Sequence, residues 1–474
     1  MITKKYITLL LLPFIMSVVG CNKLEDFGDT NVNPSGTNAP ILGALLTNVQ
    51  AGIGGYAAQT RGGLYSQYFS ETQYSDASLY SIPQINFAGE YSGSLMDLQN
   101  IRNVNSSKNM SAVAKILQQY IFWTLTDRFG SLPYTQALKG NATPAFDTQE
   151  TIYKAILSNL KSAVEEFDNT SLITGDIING GDVAKWKLFA NSLRLLVSIR
   201  LSEVYPAADG YAALEFKNAL AHTAGIIDAN SKNFVIAYPG GTFKNPWFSV
   251  YDGRKDYAVS ATMMKQLSDF GDTRVTAFAG ASEVAGTTST STIGVPYGVK
   301  RATAEAFTSA NPTWARILRG DLRNDNSKLV VLGASHVFLA RAHAAELDWT
   351  TESISTMFEN GVKASFEQWG VTAPASSYFL TTGVTIGTKG TNLKAIAIQR
   401  WIAAYPDGLQ GWGIWRETGF PVLTPAPDAL VAGTLIPRRY TFGQNEYATN
   451  PVNTKAAATA MGGDLQDTKL WWDK

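Results

Sequence analysis

Apolar positions recur at intervals of three and four along most of this chain, which predicts a mainly α-helical protein with little strand. The clearest run is 111–128, where Val113, Ile116, Leu117, Tyr120, Ile121 and Leu125 share one face. Residues 149–167 repeat the pattern with Ile152, Ala155, Ile156, Leu160, Ala163 and Val164, and Asp147 precedes them as a candidate cap. Residues 183–203 set Trp186, Phe189, Leu193, Leu196 and Val197 toward a core. Further helices are predicted at 84–102, 211–224, 258–269, 333–348, 352–369, 392–404 and 408–417. Residues 41–70 read as one or two helices, broken at Gly52–Gly55 and at Gly62-Gly63. Asn233–Tyr238 is the predicted strand. Loop-rich insertions are expected at 225–257 and 270–330, the second holding the polar run Gly286–Thr292. From Pro421 the chain reads as irregular up to Trp471-Trp472. The helices pair at spacings of roughly 35–45 residues, which predicts tetratricopeptide-like helix pairs interrupted by long irregular loops.

The N-terminus departs from this pattern. Lys4-Lys5 precede the apolar run Ile7–Met16, and small and apolar residues lead from Ser17 to Cys21. That order predicts a signal peptide over 1–20. Its apolar core is shorter than the roughly 20 residues a spanning helix needs. Gly20-Cys21 resembles a bacterial lipobox, with Val18-Val19 standing where Leu and a small residue are more usual. Cys21 is the only cysteine in the chain, so its expected role is a lipid anchor, and intrachain disulfides are excluded. Residues 21–40, rich in Asn, Pro and Gly, read as the lipid-anchored tether, and 41–474 as a single binding domain.

Composition narrows the function. The 39 basic and 39 acidic residues cancel, so the basic footprint of a nucleic-acid binder is missing. Eleven Trp, 20 Tyr and 22 Phe on a weakly charged chain suit uncharged sugar rings, which stack on aromatic faces and bond to amides and carboxylates. Core demand is lowest in the loops, so the candidate ligand-binding residues are Tyr74, Trp247, Tyr251, Tyr297, Asn311 and Trp314. No P-loop, dinucleotide glycine motif, HExxH or nucleophile elbow stands in the required context, so no catalytic residue and no cofactor is assigned. No metal site is assigned either. His336 and His343 are seven apart on one predicted helix, about 10 Å along its axis. His343 and Glu346 face together, but a packed helix pair explains them as well. Asp321, Asn324 and Asp325 lack EF-hand spacing.

Several segments carry a family resemblance. The lipobox cysteine, the Asn-Pro tether and Trp186-Lys187-Leu188-Phe189-Ala190-Asn191-Ser192-Leu193-Arg194 resemble the SusD/RagB outer-membrane nutrient-binding lipoproteins. So do Gly271-Asp272-Thr273-Arg274, with Thr273 in place of Pro, and Val337–Glu346. The tail from Ile436-Pro437-Arg438-Arg439-Tyr440 to Leu470–Asp473 is similar to the SusD-like 2 branch. The resemblance implies four tetratricopeptide-like helix pairs and a lipoprotein facing the cell exterior. It further implies that a glycan is bound and delivered to a SusC-like TonB-dependent outer-membrane transporter. Peptide ligands are the alternative cargo, and a lipid-anchored glycoside hydrolase the alternative chemistry. From their helical spacing, Trp186, Phe189 and Leu193 are expected in the core. Arg416 is expected to organise a buried turn, and Asp272 and Arg274 to pair locally.

Overall fold

Helical periodicity becomes helix at nearly every predicted place. A computed structural model of the chain describes residues 40–83 and 85–473. The expected signal peptide, Cys21 and the tether as far as residue 39 lie outside the described residues. The first half holds α1 (Leu42–Ala57), α2 (Thr60–Tyr65), α3 (Met96–Val104), α4 (Lys108–Phe129), α5 (Gln149–Glu166), α6 (Val183–Ile199) and α7 (Tyr211–Leu220). The second holds α8 (Ala261–Phe270), α9 (Arg301–Ala310), α10 (Ala334–Glu346), α11 (Ile354–Gln368), α12 (Leu393–Ala404), α13 (Gly408–Thr418) and α14 (Pro451–Ala460). Consecutive helices pack as hairpins: α4 on α5, α6 on α7, α10 on α11 and α12 on α13. Contacts of α5 with α6, α6 with α10 and α10 with α12 join the four pairs. This is the tetratricopeptide-like arrangement that the spacing predicts.

The core sits between the pairs. Trp186, Phe189 and Leu193 are fully buried, as their spacing requires. Ser107, Asp182 and Asp407 cap α4, α6 and α13 by accepting first-turn amides. Helix α5 is capped by Thr148, not by Asp147. Asp147 instead accepts the amides of Tyr134 and Thr135 at 3.0 and 2.8 Å and pins the 131–147 loop.

Three expectations need correction. Helix α1 runs unbroken through Gly52, Gly54 and Gly55. Gly54 serves packing: a Cβ there would lie 1.9 Å from the Tyr238 hydroxyl. Gly62 and Gly63 likewise sit inside α2, because α2 lies directly against α13. A Cβ on Gly408 would stand 2.0 Å from the Gly63 nitrogen. Finally, α9 falls within the expected loop 270–330, and α14 within the expected irregular tail. Both are Ala-rich and bury little (only Ala304 in α9; Thr454 and Ala457 in α14); the apolar period of α14 is faint, whereas α9 sets Arg301 and Glu305 opposite its apolar residues but is short and flanked by polar loop sequence.

Strands occur as three short antiparallel pairs: β1 (Phe69–Glu71) with β3 (Tyr257–Val259), β2 (Phe234–Ala237) with β6 (Lys328–Leu332), and β4 (Ala279–Gly280) with β5 (Arg316–Ile317). They fasten the two loop-rich insertions to the helices. A buried hub does the same work: Arg274 pairs with Asp272 and donates to Ser365 at 2.9 Å and Gln399 at 2.8 Å, linking α11 and α12.

Candidate functional site

The register of β1 and β3 builds the first wall of a surface cleft. Glu71 faces Tyr257 across the ladder, so the segment after β1 and the segment before β3 leave the body side by side. The Thr72 amide donates to the Asp256 carbonyl at 2.9 Å, and the Gln73 amide group donates to the Asp256 carboxylate. The Glu71 carboxylate accepts the Ser78 amide at 2.7 Å and folds residues 72–78 into a tight loop. Burial pushes this carboxyl up to about 7 despite that bond. Tyr74 crowns the loop, 61% exposed, with the Arg301 guanidinium 5.5 Å from its ring centre.

The second wall follows from a short helical turn at Pro246–Ser249. The Asn245 side chain accepts the Trp247 amide at 2.8 Å and donates to the Ser327 carbonyl at 2.9 Å. This turn drives Trp247 inward onto Phe69 and leaves Phe248 half-buried, with the Lys244 ammonium 5.0 Å from its ring centre. Tyr251 is fixed at both ends of its hydroxyl. It donates to the Tyr257 carbonyl at 2.8 Å and accepts the Ile317 amide at 2.7 Å. The Arg323 guanidinium lies 4.4 Å from the Tyr251 ring centre and donates to the Glu283 carbonyl at 2.8 Å, which holds the third wall, 283–285. Burial works against the Glu283 carboxylate, but its own backbone amide, Arg316 at 2.8 Å and nearby Lys255 outweigh it and hold its pKa low.

The cleft encloses about 590 Å³ between Gln73, Tyr74, Phe248, Tyr251, the 252–256 segment, Glu283, Val284 and Arg323. Among its charged lining residues, Arg254, Lys255 and Arg323 balance Asp252, Asp256 and Glu283. A neutral mouth with one open tyrosine ring, a second half-open aromatic and many polar groups can stack and hydrogen-bond an uncharged, hydroxyl-rich ligand.

Of the six residues singled out from the sequence, the structure brings Tyr74 and Tyr251 to this cleft. Trp247 is 3% exposed and stands behind it. Trp314 is also 3% exposed, covered by the Arg316 guanidinium 3.7 Å from its ring centre. Tyr297 is buried, and the Asn311 side chain donates to the Phe307 carbonyl at 2.9 Å, closing α9. None of these last three lines the cleft. Phe248, Arg254, Lys255, Asp256 and Glu283 do line it. The charged run Asp252-Gly253-Arg254-Lys255-Asp256, at the door of a strand, was the available signal for most of them.

The histidines and acids weighed as metal ligands are engaged elsewhere. His336 accepts the Gly333 amide, and burial pulls its pKa down to about 4. His343 faces Arg400 and Glu417, and Glu346 accepts the amides of Gly390 and Asn392 at 2.7 and 2.8 Å. Asp321 pairs with Arg319, and Asp325 accepts the Gly241 amide.

Solved structures share this fold. A SusD homolog from Bacteroides uniformis is 24% identical with a TM-score of 0.79, over 91% of this chain and 99% of that one. A chitin-binding SusD homolog from Flavobacterium johnsoniae is 24% identical with a TM-score of 0.78, over 91% and 98%. A SusD-like protein from Bacteroides thetaiotaomicron is 23% identical with a TM-score of 0.77, again over 91% and 98%. At such identities the likeness establishes the fold alone. No curated protein matches the sequence. A family model, described as starch-binding associating with outer membrane, matches residues 34–443, nearly the whole described body. The chain belongs to this family, SusD-like_2.

Proposed function

We propose that this protein is a cell-surface lipoprotein that binds a neutral oligosaccharide in the Tyr74 cleft without turning it over. It would pass that glycan to a SusC-like TonB-dependent outer-membrane transporter. The observation that carries the reading is the cleft itself: an open Tyr74 ring and the half-open Phe248 beside balanced charges and exposed polar groups. The family's description as starch-binding supports the ligand class, and its association with the outer membrane supports the location. No helix among the described residues is long and apolar enough to cross a membrane; the proposed attachment is a lipid on Cys21, the role that Gly20-Cys21 suggests.

Each aromatic ring contributes about 0.5–1.5 kcal/mol beyond its buried area. Replacing both Tyr74 and Phe248 by Ala is therefore expected to weaken binding of maltoheptaose or chitohexaose about tenfold or more, since tenfold corresponds to about 1.4 kcal/mol. Calorimetry of the purified double variant checks this, with thermal unfolding as the control. Unchanged affinity would move the glycan elsewhere. Binding of a peptide mixture with no response to either sugar would replace the ligand class, and shortened sugars after incubation would restore the hydrolase.

The anchor has its own test. Cys21→Ser is expected to shift the protein from the outer-membrane fraction to the soluble fraction. Detergent extraction of the unaltered protein is expected to bring down a large barrel protein with it. A Cys21→Ser protein that stays membrane-bound, or an extract yielding the chain alone, removes the corresponding half of the proposal.

A further inference from the structure

A second hollow, of about 780 Å³, lies apart from the Tyr74 cleft. Its floor is the outward face of the β2–β6 pair, with Val235, Ala237, Lys328 and Val330. One side is the end of α11, with the half-buried Trp369; the other is the turn from α12 to α13, with Tyr405 and Asp407. Its volume falls within the roughly 300–1,000 Å³ of ordinary small-ligand sites.

Asp407 makes this more than a gap in the packing. Its side chain is only 7% exposed and lines the hollow. Oδ1 caps α13 by accepting the amides of Leu409 and Gln410 at 3.0 and 3.1 Å. Among the described residues, Oδ2 accepts no hydrogen bond and Asp407 forms no ion pair. That oxygen opens into the hollow, where a bound hydroxyl can donate to it in place of water. The rim selects the donor's charge. Lys185, Lys232 and Lys328 stand around the opening and oppose a cation, while Asp407, Asp321 and Glu367 oppose an anion. What remains is a neutral ligand that donates hydroxyl hydrogens and lays an apolar face on Trp369.

We propose that this hollow is a second saccharide site, holding one or two neutral sugar rings with Asp407 Oδ2 as the hydroxyl acceptor and Trp369 as the stacking face. It is independent of the Tyr74 cleft, so the two sites fail separately.

The test uses the full chain with Tyr74 and Phe248 both replaced by Ala, which removes the cleft's rings. Maltose, cellobiose and N,N′-diacetylchitobiose are titrated by calorimetry at concentrations up to about 10 mM. At least one is expected to bind this background. Adding Asp407→Asn keeps a capping oxygen but turns an NH₂ toward the sugar. Above about pH 8, where Asp407 is ionised, it is expected to weaken binding about tenfold, the loss of one hydrogen bond to a charged acceptor. Adding Ala237→Trp instead fills the hollow from an exposed strand position and is expected to abolish binding, even if Asp407→Asn proves unstable. The proposal is overturned if none of the three sugars binds the cleft-deficient background, or if binding survives Ala237→Trp. Sugar binding lost completely with Tyr74 and Phe248 would overturn it while leaving the cleft reading intact.

Discussion

Glu417→Ala is expected to destabilise the fold by about 3–5 kcal/mol, the cost of removing one partner from a buried ion pair. Glu417 is fully buried at the end of α13 and answers two guanidiniums. Its Oε2 lies 3.1 Å from Arg400 Nη2 and 3.4 Å from Arg200 Nη1, and its Oε1 lies 3.4 Å from His343 Nδ1. With the carboxylate gone, Arg400 loses its counterion and Arg200 keeps only Asp127, at 3.7 Å. Denaturant unfolding of the variant measures the loss. The same residue sets a pH dependence. Burial alone would raise the Glu417 pKa, but Arg400, His343 and Arg200 outweigh it and hold it at about 2, against 4.5 when unfolded. A pKa lowered by folding gives stability that is present above about pH 4.5 and lost as the pH falls toward 2. Glu71 and Asp407, raised by burial to about 7, act in the opposite sense, weakening the fold as the pH rises from about 4 to 7. The difference between the wild type and Glu417→Gln isolates the first effect. The variant's midpoint should change less between pH 4.5 and 2, and an equal slope would assign acid lability to other carboxyls.

Trp472→Ala is the second large effect, at about 3–5 kcal/mol for an emptied indole site. The ring is fully buried and covers two guanidiniums at once, Arg416 at 4.8 Å and Arg200 at 5.1 Å from its centre. On its other face Arg416 lies 3.6 Å from the Trp412 ring centre. Its Nη1 donates to the carbonyls of Asp127 and Arg438 at 2.7 and 2.8 Å. This arginine therefore does more than order a turn; it ties α4, α13 and the tail together. Burial pulls its pKa down to about 9, so it sits where charge is expensive and its aromatic cover matters. Trp472→Phe should recover part of the loss, because a smaller ring still shields the guanidinium. A variant as stable as the wild type would show that the tail contributes little to the core.

The helical frame was legible because burial imposes a period. Helices α5 and α6 each bury a face of apolar side chains that recur at three and four in the sequence, while α4 is buried on nearly every side and its apolar residues recur among buried polar ones. Where burial is slight the signal fails, as in α14, whose alanines favour helix without marking a face. Glycine misled for a related reason. Gly54 and Gly62 punctuate nothing; they are small because a tyrosine hydroxyl and the backbone of α13 come within reach. The cleft was half legible. Tyr74 and Tyr251 follow from placing aromatics in loops. Whether a loop aromatic faces water or core depends on the turn that carries it, and a single helical turn at Pro246 sends Trp247 in and Phe248 out. Trp314 was hidden for the same kind of reason, by an arginine two residues along the chain that folds over its ring.

The β1–β3 ladder separates what holds the cleft from what fills it. Its register is fixed on the body's side, at Phe69 opposite Val259, before either segment reaches the mouth. The Thr72 and Gln73 bonds to Asp256 carry the pairing one step into the mouth, and the loop tips beyond lie outside it. The helices that carry the body lie outside these segments. Chains that keep only about a quarter of their residues in common share this body.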